Sequence, residues 1–158
     1  MKKGLLIIIT GKGRGITEPA LGTMFRSLGR GFAVCLIQFT NEVRETGDFL
    51  ATNWPNPLLE IHTLGDDLGA RSGTEQEKTQ AAREAWQLTE QLISSGKFQV
   101  VVLEEVTNLV KNGAVTPEDV VALLGERPEH VHVIVTGNDV PEALIAAADL
   151  VTQVVEVK

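Results

Sequence analysis

The sequence is short of cysteine, histidine and basic charge. A single cysteine in 158 residues cannot form an internal disulfide, and Cys35 alone fits a reducing compartment. His62, His130 and His132 have no cysteine partners, so no structural metal cluster is expected; His130 and His132 read as two solvated imidazoles. Lys and Arg number 14 against 21 acids, a net charge of −7 that argues against general affinity for nucleic acid or an anionic membrane. That balance still permits a local basic pocket for one anionic ligand. Long apolar runs are absent too. Gly4-Leu5-Leu6-Ile7-Ile8-Ile9 ends at Thr10-Gly11-Lys12-Gly13-Arg14, too short for a membrane span and wrongly followed for a signal peptide. A cytoplasmic protein is expected. There is no internal repeat, no low-complexity stretch, and no legible Ser/His/Asp or Cys/His spacing, so no catalytic nucleophile is assigned.

What is present is globular: 43% apolar and 22% charged residues, enough chain for one domain over residues 1–158. Short apolar runs at Leu5–Ile9, Phe32–Phe39, Leu58–His62, Phe98–Leu103, Val131–Val135 and Val151–Val157 read as strands. Helical patterns fall between them: one ending about Leu28, Gln76–Ser94 closed by Gly96, Pro117–Leu124 with Thr116 as N-cap, and Pro141–Ala148. Strands apolar throughout are buried on both faces, the mark of a parallel sheet covered by helices, so the fold class is α/β. Cys35 then lies mid-strand as an inert thiol, and Trp86 falls on the apolar stripe of its helix. Asn41–Asp48 and Gly65–Thr74 are polar loops downstream of strand ends, where ligands bind in open α/β sheets.

The informative segment runs from Ile9 to Glu18, after the first strand and into the first helix, where backbone N–H groups and the helix dipole favour a phosphate. The dinucleotide pattern G-x-G-x-x-G fails at Ile16, and no acid follows the second strand to hold a ribose. The P-loop pattern G-x-x-x-x-G-K-[ST] matches at Gly15 and Thr17, with Thr10 in place of its first glycine and Ile16 in place of its lysine. A plain glycine turn between strand and helix is the alternative.

Thr10-Gly11-Lys12-Gly13-Arg14-Gly15-Ile16-Thr17-Glu18-Pro19-Ala20-Leu21-Gly22 resembles, without gaps, the T-G-[DN]-G-K-G-K-T-T-A-A-L-G of the ATP:corrinoid adenosyltransferases of the CobA/CobO/BtuR type. Further pieces follow in the family's order: Gln38-Phe39, Arg83-Glu84-Ala85-Trp86, Val101-Val102-Leu103-Glu104-Glu105-Val106-Thr107, Arg127-Pro128, Val135-Thr136-Gly137 and Ala148-Asp149-Leu150-Val151-Thr152. The resemblance implies a three-layer P-loop NTPase-like (RecA-like) fold with a mostly parallel sheet, usually as a homodimer. It implies transfer of the 5′-deoxyadenosyl group of ATP, with Mg²⁺, to a Co(I) corrinoid substrate. By the same mapping Gly11, Lys12, Gly13, Arg14, Gly15 and Thr17 would hold the phosphates. Thr17, Glu104 and Glu105 would hold the metal, and Asn41–Asp48 and Gly65–Thr74 would face the corrinoid.

The departures cluster at those positions. Ile16 replaces the phosphate-binding lysine, Glu18 a threonine, Glu104 an aspartate and Asn138 an arginine. One unit charge about 5 Å from a phosphate, at an effective dielectric of roughly 20, is worth roughly 3 kcal/mol. Each of the first two changes would therefore weaken triphosphate binding by on the order of a hundredfold. With Gly15 as N-cap, Glu18 would be the third helical residue and would bond back to the cap N–H. Three readings stand: an adenosyltransferase with altered phosphate recognition, a paralogue that keeps the fold and binds a corrinoid or protein partner without ATP turnover, and a protein holding another anion through Lys12 and Arg14.

Overall fold

Both faces of the central strands are covered, and this is why their sequences do not alternate. The computed structural model describes residues 3–12, 15–40, 55–65 and 74–158. Six strands form one sheet: β1 (Leu6–Gly11), β2 (Val34–Gln38), β3 (Leu59–Thr63), β4 (Val100–Glu104), β5 (His132–Asn138) and β6 (Leu150–Val154). Their order is β3-β2-β4-β5-β1-β6, and every pairing is parallel. Among the described residues five helices accompany them: α1 (Thr17–Leu28), α2 (Glu75–Ser94), α3 (Thr107–Lys111), α4 (Pro117–Glu126) and α5 (Glu142–Ala147).

Among the described residues the helices divide unequally between the two faces. Helix α1 lies on one face, where Ala20, Leu21 and Met24 pack with Ile16 onto Ile9, Val34, Leu36, Val100, Val102 and Ile134. The other face takes α2 through Ala82, Ala85, Trp86 and Ile93, α4 through Val120 and Leu124, and α5 through Leu144. Trp86 is core, as its place on the helical stripe predicts.

Most elements lie where the sequence pattern puts them. Thr116 caps α4, and Gly96, at φ +62°, follows the last residue of α2's cap. Two expectations are corrected. The short helix α3 was not anticipated, because Val106-Thr107-Asn108-Leu109-Val110 is β-branched and of low helical propensity. The two imidazoles are not simply solvated: His132 Nδ1 accepts the Leu5 N–H at 3.1 Å, and His130 Nε2 donates to the Gly96 carbonyl at 3.0 Å. The strand-end backbone needs those partners.

The amino end of the sheet explains two of the motifs. Arg127 Nε donates to the Val131 carbonyl at 3.1 Å and Nη2 to the Gly4 carbonyl at 2.9 Å, while Nη1 donates to the Leu124 carbonyl. Asp149 Oδ2 accepts the Leu6 N–H at 2.7 Å and lies 3.7 Å from Arg127 Nη2. These side chains fasten β1, β5 and β6 together, at the end of the sheet opposite the glycine loop. They are scaffold.

Candidate functional site at the carboxyl end of the sheet

Strand β1, paired with β5 and β6, ends at Gly11 where the glycine loop begins. Gly11 must be glycine because a Cβ there would fall 2.2 Å from the Val154 carbonyl oxygen of β6. Lys12 is exposed, and Gly13 and Arg14 lie outside the described residues. Gly15 takes φ +100°, a conformation that L side chains rarely adopt, and turns the chain into α1.

The start of α1 differs from the expected capping box. Ile16, at φ −83° and ψ −35°, occupies the N-cap and provides no side-chain cap bond. The Gly15 cap with Glu18 bonding back is therefore corrected: the helix begins one residue later, and isoleucine has no oxygen to offer. Thr17 is the first helical residue and half-buried; Glu18 is exposed in the first turn. Its Oε2 lies 4.0 Å from where a Gly15 Cβ would stand. The Ile16 side chain is only 3% exposed and belongs to the apolar cluster beneath α1. A side chain seated there is committed to the core.

A second group of residues lies at the ends of the neighbouring strands, on the same face as α1. Alternation along β2, β3 and β4 puts Gln38, Thr63 and Glu104 one step beyond the apolar layer of Leu36, Ile61 and Val102. Thr63 Oγ1 donates to Gln38 Oε1 at 3.0 Å, and Gln38 Nε2 donates to Glu104 Oε2 at 2.7 Å. Gln38 and Glu104 are both buried. Beyond them on β5, the buried Thr136 Oγ1 accepts the Glu105 N–H at 3.1 Å. Glu105 itself takes φ +57°, turning the chain out of β4.

The structure thus separates two residues that sequence reasoning paired. Glu104 points into the sheet face held by Gln38, whereas Glu105 is half-buried at the turn. Gln38, Thr63 and Thr136 were not among the predicted site residues. For Gln38 and Thr136 a signal was available, each being the first polar residue after an apolar run; Thr63 follows Glu60 and His62 and carries none. Of the two loops assigned to a corrinoid, Asn41–Asp48 lies outside the described residues, as do residues 66–73 of the other; Thr74 caps α2. Cys35 is fully buried, and burial first, then the nearby Glu60 charge, pushes its thiol up to about 12, so it is no nucleophile. Among the described residues no group of three or more His, Cys, Asp or Glu could hold a metal.

The topology and the loop after β1 define a P-loop-type α/β protein. Flagellar accessory protein FlaH from Methanocaldococcus jannaschii superimposes with a TM-score of 0.70 over 97% of this chain and 72% of its own, at 13% identity, which supports the fold. The family model for the ATP:corrinoid adenosyltransferases BtuR/CobO/CobP matches residues 2–158, and the chain belongs to that family. The corrinoid adenosyltransferase of Escherichia coli K12 is 32% identical over 99% of this chain and 79% of its own length. That of Pseudomonas aeruginosa is 30% identical over 99% and 77%.

The family implies ATP and a corrinoid. The residues present do not fit the phosphates of ATP: the position of the expected lysine is filled by a buried isoleucine, and an exposed glutamate stands in the first helical turn. Of the donors expected for the metal, Thr17, Glu104 and Glu105, Glu104 lies on the α1 face of the sheet and Glu105 at the turn that follows β4.

Proposed function

We propose that this chain is a catalytically degenerate member of the corrinoid adenosyltransferase family, one that binds a corrinoid and does not turn over ATP. The burial of Ile16 carries this reading. A lysine that holds phosphates must reach out of the loop with its charge solvated or paired; Ile16 instead packs with Ala20, Leu21 and Met24 against the sheet. Glu18 adds an anion where the helix dipole would otherwise favour one from a ligand. Corrinoid binding is supported by the match across residues 2–158. In the family reaction the corrinoid's Co(I) is the nucleophile, so a protein without the triphosphate site retains no group able to promote the transfer. We place the protein in the cytoplasm as a homodimer, in keeping with the family; among the described residues no helix is long and apolar enough to cross a membrane.

A second reading, adenosyl transfer with altered phosphate recognition, has Lys12 in its favour, an exposed cation immediately after β1. One assay separates the two. Protein, reduced corrinoid and Mg·ATP are mixed at stoichiometric amounts, then dialysed. The degenerate reading predicts retained corrinoid and no adenosylcorrinoid. Formation of one adenosylcorrinoid per chain would establish the transferase.

A further inference from the structure

We propose that the open edge of β6 is the surface on which a second copy of this chain docks, the two β6 strands pairing antiparallel about a twofold axis at Gln153. It rests on the homodimer proposed above and names the surface that would form it.

The two edges of the sheet differ. Edge strands present unpaired main-chain groups, and charged side chains are one means by which proteins keep them from pairing. At the β3 edge, Glu60 Oε2 accepts from Lys97 Nζ at 2.5 Å and Glu60 Oε1 lies 2.9 Å from His62 Nε2, so a charged cluster guards that strand. At the β6 edge, Leu150–Val155 carries no charged residue at all. Leu150 is 50% exposed, Val151 39%, and Val155, just beyond the strand, 67%. Among the described residues β6 pairs with β1 alone.

The register shows which main-chain groups are free. The Val133 N–H donates to the Leu5 carbonyl at 2.9 Å, so by alternation Leu5, Ile7 and Ile9 turn their main chain to β5 while Ile8 and Thr10 turn theirs to β6. In a parallel ladder the residue opposite one that bonds inward turns its own groups away. The partners of Ile8 and Thr10 are Val151 and Gln153, which therefore present N–H and C=O to the open edge.

The segment matches its own reverse. With Gln153 on the axis, Val151 faces Val155 of the second copy and Thr152 faces Val154, so β-branched side chains meet across the strands and the two Gln153 amides meet each other. No charge faces a like charge in that pairing, although each copy carries a net charge of −7. Asp149, at its end, is already held by the Leu6 N–H at 2.7 Å and lies 3.7 Å from Arg127 Nη2. A strand from a different protein would not require this edge to match its own reverse.

Light scattering and sedimentation of the full chain test the pairing. The unaltered chain should be a dimer. Gln153→Lys and Gln153→Glu, at an exposed position, should each weaken self-association at least tenfold, because like charges then face each other on the axis. Mixed in equal amounts, the two variants should form a dimer again, with an affinity close to that of the unaltered chain. That restoration requires position 153 to face itself. Circular dichroism, unchanged in both variants, separates loss of pairing from loss of fold. A monomeric unaltered chain would overturn both this surface and the homodimer. A dimer that neither variant weakens, or that weakens without restoration on mixing, would overturn the β6 surface and leave the homodimer standing.

Discussion

Helices α1 and α4 begin in opposite ways. At α4, Thr116 Oγ1 accepts the Asp119 N–H at 3.1 Å, while Asp119 Oδ2 accepts the Thr116 N–H at 3.0 Å. Helix α2 is closed likewise by Thr74 and Glu77. At α1 the N-cap is Ile16, which makes no side-chain bond. A capping box consumes N–H groups that a bound anion would otherwise take, and at the start of α1 no N-cap side chain takes them. The side chains tell the other half: Ile16 is packed into the core, and Glu18 stands in the first turn. The start of α1 therefore keeps its glycine turn while the side chain at position 16 is apolar and the one at position 18 is acidic.

The largest effect that would break this comparison is at Ile16. Truncation to alanine should cost about 2–5 kcal/mol in urea unfolding, as for other buried aliphatic side chains. A cost under about 0.5 kcal/mol, typical of a surface position, would mean that Ile16 faces a ligand cavity rather than the core.

The caps come next. Thr116→Ala and Thr74→Ala should each destabilise by about 1 kcal/mol. Glu18→Ala should change stability by less than about 0.5 kcal/mol, because this exposed residue makes no cap bond. A cap-sized loss at Glu18 would restore the capping box that the structure denies.

The same contrast should appear in acid. Hydrogen bonds from the Thr74 backbone and hydroxyl hold the Glu77 carboxyl below its usual 4.5, and the Thr116 hydroxyl and backbone hold Asp119 below 3.8. A group lowered by folding contributes stability above its unfolded value and loses it as pH falls through the folded one. Stability should therefore fall with acidification below about pH 4.5, and the two threonine variants should flatten that fall. An unchanged slope in both variants would detach the caps from the pH dependence.

The smallest signal is chemical. Cys35 should stay unlabelled by a thiol reagent at pH 8 in the native protein and react once per chain in denaturant, since burial pushes the thiol up to about 12. Rapid native labelling would place it in an open part of the sheet.

Much of the fold was legible because burial on both faces leaves uninterrupted apolar strands, as in Val100-Val101-Val102-Leu103. Helix α3 was not, because only its tertiary packing, with Leu109 fully buried, overrides a poor helical sequence. At the site, the missing lysine could be read directly, but not where its replacement pointed. Sequence could not show that Ile16 joins the core while Glu18 stays outside. Nor could spacing reveal that Gln38, 66 residues from Glu104, meets it across the β2–β4 register. Long-range pairing creates that contact, and a single sequence carries no mark of it. The motif residues Arg127 and Asp149 show the converse, since their place at the amino end of the sheet makes them fastenings rather than ligands.

Calorimetric titration of the unaltered protein with Mg·ATP, carried to millimolar concentration, tests the central claim most directly. A buried isoleucine and an exposed glutamate at the start of α1 predict no heat of binding. A saturable isotherm at micromolar concentration would contradict the account and return the chain to the ATP-dependent transferases.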